Sequence, residues 1–113
     1  MTIILKPDKK AAIQSQHNHY FKTMIKAVVD VDRGIIAIDA ELHADLENAL
    51  LIEGSVQENL WGINLFLGKP KQNWIEYTAL INIRPSMNNR SMEVEDPEMK
   101  KKIKTIVENL ILE

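Results

Sequence analysis

Asp39, Glu41 and His43 stand two residues apart, and these are side-chain types that bind cations and move protons. On an extended chain they share one face at steps of roughly 6.5 to 7 Å, a spacing that lets two of them enter one divalent-metal shell or work as an acid–base pair. Carboxylate oxygen and imidazole nitrogen suit zinc and harder cations, and the remaining ligands have to come from elsewhere in the chain. The plainer reading is a solvated row, with Glu41 paired to Lys26 and His43 serving the strand end. A second set lies downstream. Asn64, then Asn82-x-Arg84, then Asn89 and Arg90 supply amides and guanidinium forks of the kind that hold phosphate or carboxylate. Here the plainer reading has Arg84 paired with Asp39 or Glu41 while the loop amides close their own turns. His17 and His19 resemble a ligand pair, but positions i and i+2 diverge on a helix, so they read as surface residues.

Whether these groups meet depends on the elements that carry them. Ile35 to His43 alternates, with Ile36, Ile38, Ala40 and Leu42 on one side and Asp39, Glu41 and His43 on the other, as a half-buried strand requires. Ile25 to Val31 alternates too, and the intervening Asp32-Arg33-Gly34 predicts a hairpin. A two-residue Arg33-Gly34 turn sets Val31 opposite Ile36, Val29 opposite Ile38 and Ala27 opposite Ala40. Leu60 to Leu67 and Trp74 to Arg84 predict a second hairpin across the polar, Gly- and Pro-containing 68–73 loop. The core faces of this hairpin are Trp61, Ile63, Leu65 and Leu67 on one strand and Ile75, Tyr77, Ala79, Ile81 and Ile83 on the other.

Three helices complete the set. The first starts near Lys9, capped by Asp8, and ends between His17 and Phe21, after a brief edge strand at Thr2 to Leu5. The second runs from Leu46 to about Glu53, with Asp45 as its cap and Gly54 as a left-handed stop, and Ser55 to Glu58 reads as a capping box for one further turn. The third has Asp96 as N-cap and Pro97 in its first turn. Its stripe of Met99, Ile103, Ile106, Val107, Leu110 and Ile111 keeps helical spacing.

Composition narrows the classes. With 113 residues, 45% hydrophobic and 27% charged, the chain reads as one α+β domain with one core, spanning residues 1–113. It has no cysteine, so disulfides, thiolate nucleophiles and Cys-ligated zinc are excluded. A net charge of −2 argues against strong nucleic-acid binding, and the amino end carries no export pattern, so cytoplasmic location is the expectation. Lys100, Lys101, Lys102 and Lys104 read as a solvated helix side.

The segments Lys26-Ala27-Val28-Val29-Asp30, Asp39-Ala40-Glu41-Leu42-His43-Ala44-Asp45, Leu60-Trp61-Gly62-Ile63-Asn64 and Ile81-Asn82-Ile83-Arg84-Pro85-Ser86, with Asn89-Arg90-Ser91 and Glu95-Asp96-Pro97, resemble a family of small uncharacterised prokaryotic proteins. The resemblance covers nearly the whole chain beyond about Met24. It implies an autonomous cytosolic protein and carries no reaction with it.

The expectation is therefore a four-stranded antiparallel meander of two hairpins, with all helices on the Trp61/Ile63/Ile81 face. The opposite face would show Val28, Leu60, Phe66, Trp74 and Leu80 among polar groups, and a second copy of the chain or a ligand would cover it. The leading function is a ligand- or partner-binding module that uses this face and the 85–95 loop, with a homodimer and a small anionic ligand as the expected partners. A divalent-metal enzyme built on Asp39, Glu41 and His43 is one alternative. An RNA-associated factor using Lys69, Lys71 and the Lys100 to Lys104 patch is the other.

Overall fold

A computed structural model describes every residue from Met1 to Glu113. In chain order the elements are β1 (Thr2–Ile4), β2 (Asp8–Lys9), α1 (Lys10–Gln16), β3 (Ile25–Asp30), β4 (Ile35–Ile38), α2 (His43–Ile52), β5 (Leu60–Leu65), β6 (Ile75–Glu76), α3 (Pro97–Leu110) and β7 (Ile111–Leu112). Five strands form an antiparallel sheet in the order β1-β4-β3-β5-β6, and β2 and β7 add a two-residue parallel ladder. The α+β class, the antiparallel sheet and the long last helix match the expectation. The four-stranded meander does not, because the edge strand β1 joins β4, and β3 sits between β4 and β5.

The β3–β4 hairpin forms with a register two residues away from the predicted one: Ala27 faces Ile38, Val29 faces Ile36 and Asp30 faces Ile35. Its loop is Val31 to Gly34, closed by the Gly34 N–H to the Asp30 carbonyl at 2.9 Å. The buried Asp30 carboxylate selects this longer loop, since its Oδ1 accepts from the backbone N–H groups of Asp32 and Arg33, both at 3.0 Å. Gly34 takes φ +67° there, a conformation open to glycine. A shift of two residues keeps every side chain on its own face, so alternation alone cannot detect it.

Alternation then divides the sheet's contents. Ile25, Ala27, Val29, Ile36, Ile38, Trp61, Ile63 and Leu65 face α1 and α3, where Ile13, Ile103, Val107 and Leu110 meet them. Each of these fully buried branched side chains contributes about 1.5–3 kcal/mol. Asp96 caps α3 as predicted, its Oδ1 accepting from the Glu98 N–H at 3.0 Å. Asp8 does not cap α1; its carboxylate accepts from the adjacent Lys9 N–H, and the residue itself lies in β2.

The largest correction concerns the other face. Helix α2 crosses it, burying Leu46 and Leu50 against Val28, Ile35, Ala37 and Leu60, so helices cover both sides of the sheet. Of the residues expected to lie bare, Val28 and Leu60 are enclosed by α2, Trp74 is buried in the α3-side core, Phe66 is half-buried and Leu80 is largely exposed. Part of the face that a second copy or a ligand was expected to cover is covered by this helix. Helix α2 also starts three residues early, at His43, without a side-chain cap from Asp45, and the predicted capping box is a 3₁₀ turn at Gln57–Asn59 without one. Gly54 ends the segment with φ +114°, as expected.

The predicted fourth strand stops after Glu76. Beyond it the chain folds into 3₁₀ turns at Leu80–Asn82 and Pro85–Met87. Side chains complete the edge of β5 in its place. Asn64 pairs with Glu76 in the ladder, while the Asn82 carboxamide takes both backbone groups of Gly62, accepting from its N–H at 2.8 Å and donating to its carbonyl at 2.9 Å. The Arg84 guanidinium then donates to the Leu60 carbonyl. Gly62 has to be glycine for this close approach, because a Cβ there would stand 2.5 Å from the Ala79 Cβ.

Candidate functional site

The eight sequence-derived residues separate into four environments. Asp39 follows the end of β4 in a left-handed conformation, φ +73°, and its buried carboxylate accepts from His19, through both the backbone N–H at 3.0 Å and the ring Nδ1. Burial opposes ionisation of Asp39, but the bonds from His19 outweigh it and hold the carboxyl below its usual range. Glu41 is exposed and pairs with nothing, and His43 sits in the first turn of α2. Asp39, Glu41 and His43 therefore share no face, because the chain turns at Asp39 and enters a helix four residues later. Nowhere do three histidine or carboxylate side chains gather in a form able to hold a metal ion.

Asn82, Arg84 and Asn89 are the second environment, and all three are used up by the fold. Asn82 also donates to the Met92 carbonyl at 3.0 Å. Asn89 donates to the carbonyls of Asn82, Ser91 and Glu93 and accepts from the Glu95 N–H, which pins the 82–95 loop onto itself. Arg84 stacks with its Cζ 4.9 Å from the Trp61 ring centre and pairs with Glu47 at 3.4 Å, not with Asp39 or Glu41. Burial lowers its pKa, against the opposing pull of Glu47 and Glu58. Arg90 forms the third environment: its backbone N–H binds the Glu95 carboxylate at 3.0 Å while the residue itself is exposed.

The fourth environment is a groove of about 470 Å³ between the amino end of α2 and the β3-β5-β6 side of the sheet. His43 and Asn64 from the candidate set meet here, joined by Lys26, Glu76 and Thr78. Lys26, Asn64 and Glu76 are consecutive cross-strand partners and so form one polar row. Met24, Leu42, Leu80 and Met92 supply apolar walls.

Each polar group in the groove has a definable state. His43 Nε2 lies 2.9 Å from the Ile63 carbonyl, an acceptor only, so Nε2 carries the proton and donates it. Burial pushes the imidazole below its ordinary value and the Lys26 ammonium adds to this, while the Ile63 carbonyl and the Asn64 carboxamide pull the other way. His43 is thus a neutral hydrogen-bonding group at neutral pH. Asn64 is 7% exposed, and its Nδ2 donates to Glu76 Oε1 at 2.7 Å and to the Thr78 carbonyl at 3.2 Å. Those two acceptors fix the orientation of the amide and leave Oδ1 buried without a hydrogen-bond donor. The Asn64 carboxamide favours the charged form of the nearby His43 ring, but no hydrogen bond joins the two side chains.

A family model described as a protein of unknown function (DUF5674) matches residues 2–110. The chain belongs to that family. No curated protein and no solved structure shows significant similarity to it. The match extends through β1, α1 and the 17–24 connection, which lie ahead of the segments that carried the sequence resemblance. No helix is long and apolar enough to cross a membrane.

Proposed function

We propose that this family member is a binding module whose ligand sits in the groove beside His43 and Asn64. The observation that carries the reading is the buried Asn64 Oδ1, an acceptor without a donor in the wall of an open groove. An unsatisfied buried acceptor costs about 1–3 kcal/mol, and a turn of the Asn64 side chain toward the groove would let a ligand N–H recover that cost on binding. The Lys26 ammonium supplies a cation for an anionic end, and Met24, Leu42, Leu80 and Met92 supply contact for an apolar body. The ligand class is therefore a small anion bearing an N–H donor and an apolar group. N-acetylated amino acids meet that description and serve as probes.

The test is a titration of ¹⁵N-labelled protein with N-acetylated apolar amino acids and with their methyl esters. Saturable shifts at Lys26, His43, Asn64 and Thr78, weakened for the esters, support the reading. Shifts elsewhere, or equal responses to acid and ester, remove it. The metal-enzyme alternative loses its support in the dispersal of Asp39, Glu41 and His43. The homodimer expected from the sequence now rests on the exposed Leu42, Leu80 and Met92 at the groove rim. Light scattering of the wild type and a Leu80→Lys variant decides it: a doubled mass that falls to the monomer value in the variant supports a dimer, and a wild-type monomer ends it.

A further inference from the structure

His19 lies outside the groove, in the connection between α1 and β3, and is held in an unusual way. Its imidazole side chain is 65% exposed, while the Asp39 carboxylate beneath it is only 2% exposed. Both Asp39 oxygens are committed to this one residue, Oδ1 to the backbone N–H and Oδ2 to the ring Nδ1. A carboxylate only accepts, so Nδ1 carries a proton, and in the neutral ring the lone pair is on Nε2. The left-handed backbone at Asp39, φ +73°, is tied by its N–H to the Lys26 carbonyl at 3.1 Å. Such a conformation in a non-glycine residue carries strain that the surroundings have to maintain.

Along the chain, the charge on both sides of His19 has a single sign. From Lys9 to Val29 the chain has no Asp or Glu, but it carries Lys9, Lys10, Lys22 and Lys26 together with His17 and His19. The carboxylate that His19 contacts, Asp39, is buried and engaged. An anionic reagent approaching the outer edge of His19 meets a segment of chain whose charged side chains are all basic. Orienting carboxylates of this kind fix an imidazole's tautomer and favour positive charge on its ring.

We propose that His19 is a covalent acceptor site, whose Nε2 takes a phosphoryl group from small anionic donors of the phosphoramidate or acyl phosphate class. The Nε2 lone pair forms a bond to phosphorus, and the bond from phosphorus to the leaving group breaks. With phosphoramidate the leaving group departs as ammonia, retaining the protons already on its nitrogen. The ring keeps its Nδ1 proton, and the positive charge it acquires faces the Asp39 carboxylate.

The experiment treats the full chain with potassium phosphoramidate near neutral pH. Modification of His17, His19 and His43 is followed by mass spectrometry of peptides, and the isomer is read by ³¹P NMR. His19 should be modified first, as the acid-labile Nε2 isomer. In Asp39→Asn the amide can present an N–H to Nδ1, which moves the ring proton to Nε2 and removes the nucleophile. Its His19 rate should fall at least about tenfold, with the His17 rate unchanged as an internal control. Should Asp39→Asn fail to fold, the ring ¹⁵N spectrum of the wild type decides instead, with His19 expected as the Nδ1–H tautomer. Equal His19 rates in wild type and variant, a Nδ1-phospho product, or an Nε2–H tautomer in the wild type would each overturn the proposal.

Discussion

Asparagine appears in two parts of this molecule with opposite consequences. At the β5 edge, Asn82 makes bonds at both ends of its carboxamide and Asn89 does the same, so each replaces a missing strand or ties a loop. In the groove, Asn64 makes two bonds through Nδ2 and none through Oδ1. The residue type is the same and the burial is similar, at 0%, 4% and 7% exposed, yet only the last leaves its side-chain acceptor without a partner. Satisfaction, more than burial or residue type, separates these two scaffold asparagines from the one in the proposed site.

The sharpest way to break that contrast is Asn82→Ala. It strips partners from the Gly62 N–H and carbonyl and from the Met92 carbonyl, and the expected loss is about 3 kcal/mol in denaturant unfolding. Gly62→Ala attacks the same edge by overpacking against Ala79 and should cost about 2 kcal/mol. Asn64→Ala should cost only about 1 kcal/mol, because it removes an unsatisfied acceptor along with its two donated bonds, while abolishing the response to N-acetylated amino acids. A destabilisation by Asn64→Ala as large as that of Asn82→Ala would erase the distinction.

His43 sharpens the contrast through pH. Its folded value lies below the ordinary 6.5, so the unfolded chain takes up this proton first. The stability held above pH about 6.5 is therefore lost as pH falls through that value toward the lower folded one. Unfolding free energies measured across this window should slope for the wild type and flatten in His43→Gln. The smallest effects belong to the exposed Glu41 and Arg90: Glu41→Gln and Arg90→Gln should each stay within about 0.5 kcal/mol in thermal melts.

Local chemistry carried much of this fold into the sequence. The period-2 faces of β3, β4 and β5, the Asp96 cap with Pro97 opening α3, and the left-handed Gly54 all depend on interactions within a few residues. Asn64 keeps the alternation of β5 for the same reason, whereas His43, expected at the end of a strand, opens α2. Where the chain goes after a local element ends is a different matter. Alternation cannot show that α2 crosses to the far side of the sheet, since a helix with Leu46 and Leu50 inward fits either face equally well. Nor can it show that the strand beginning at Ile75 stops at Glu76, because the groups that replace it, the side chains of Asn82 and Arg84, lie 20 and 24 residues from the backbone they complete. His19 and Asp39 are likewise 20 residues apart. Pairings at that distance in the chain depend on packing and on hydrogen-bond satisfaction, and these were decided only when the layers closed on one another.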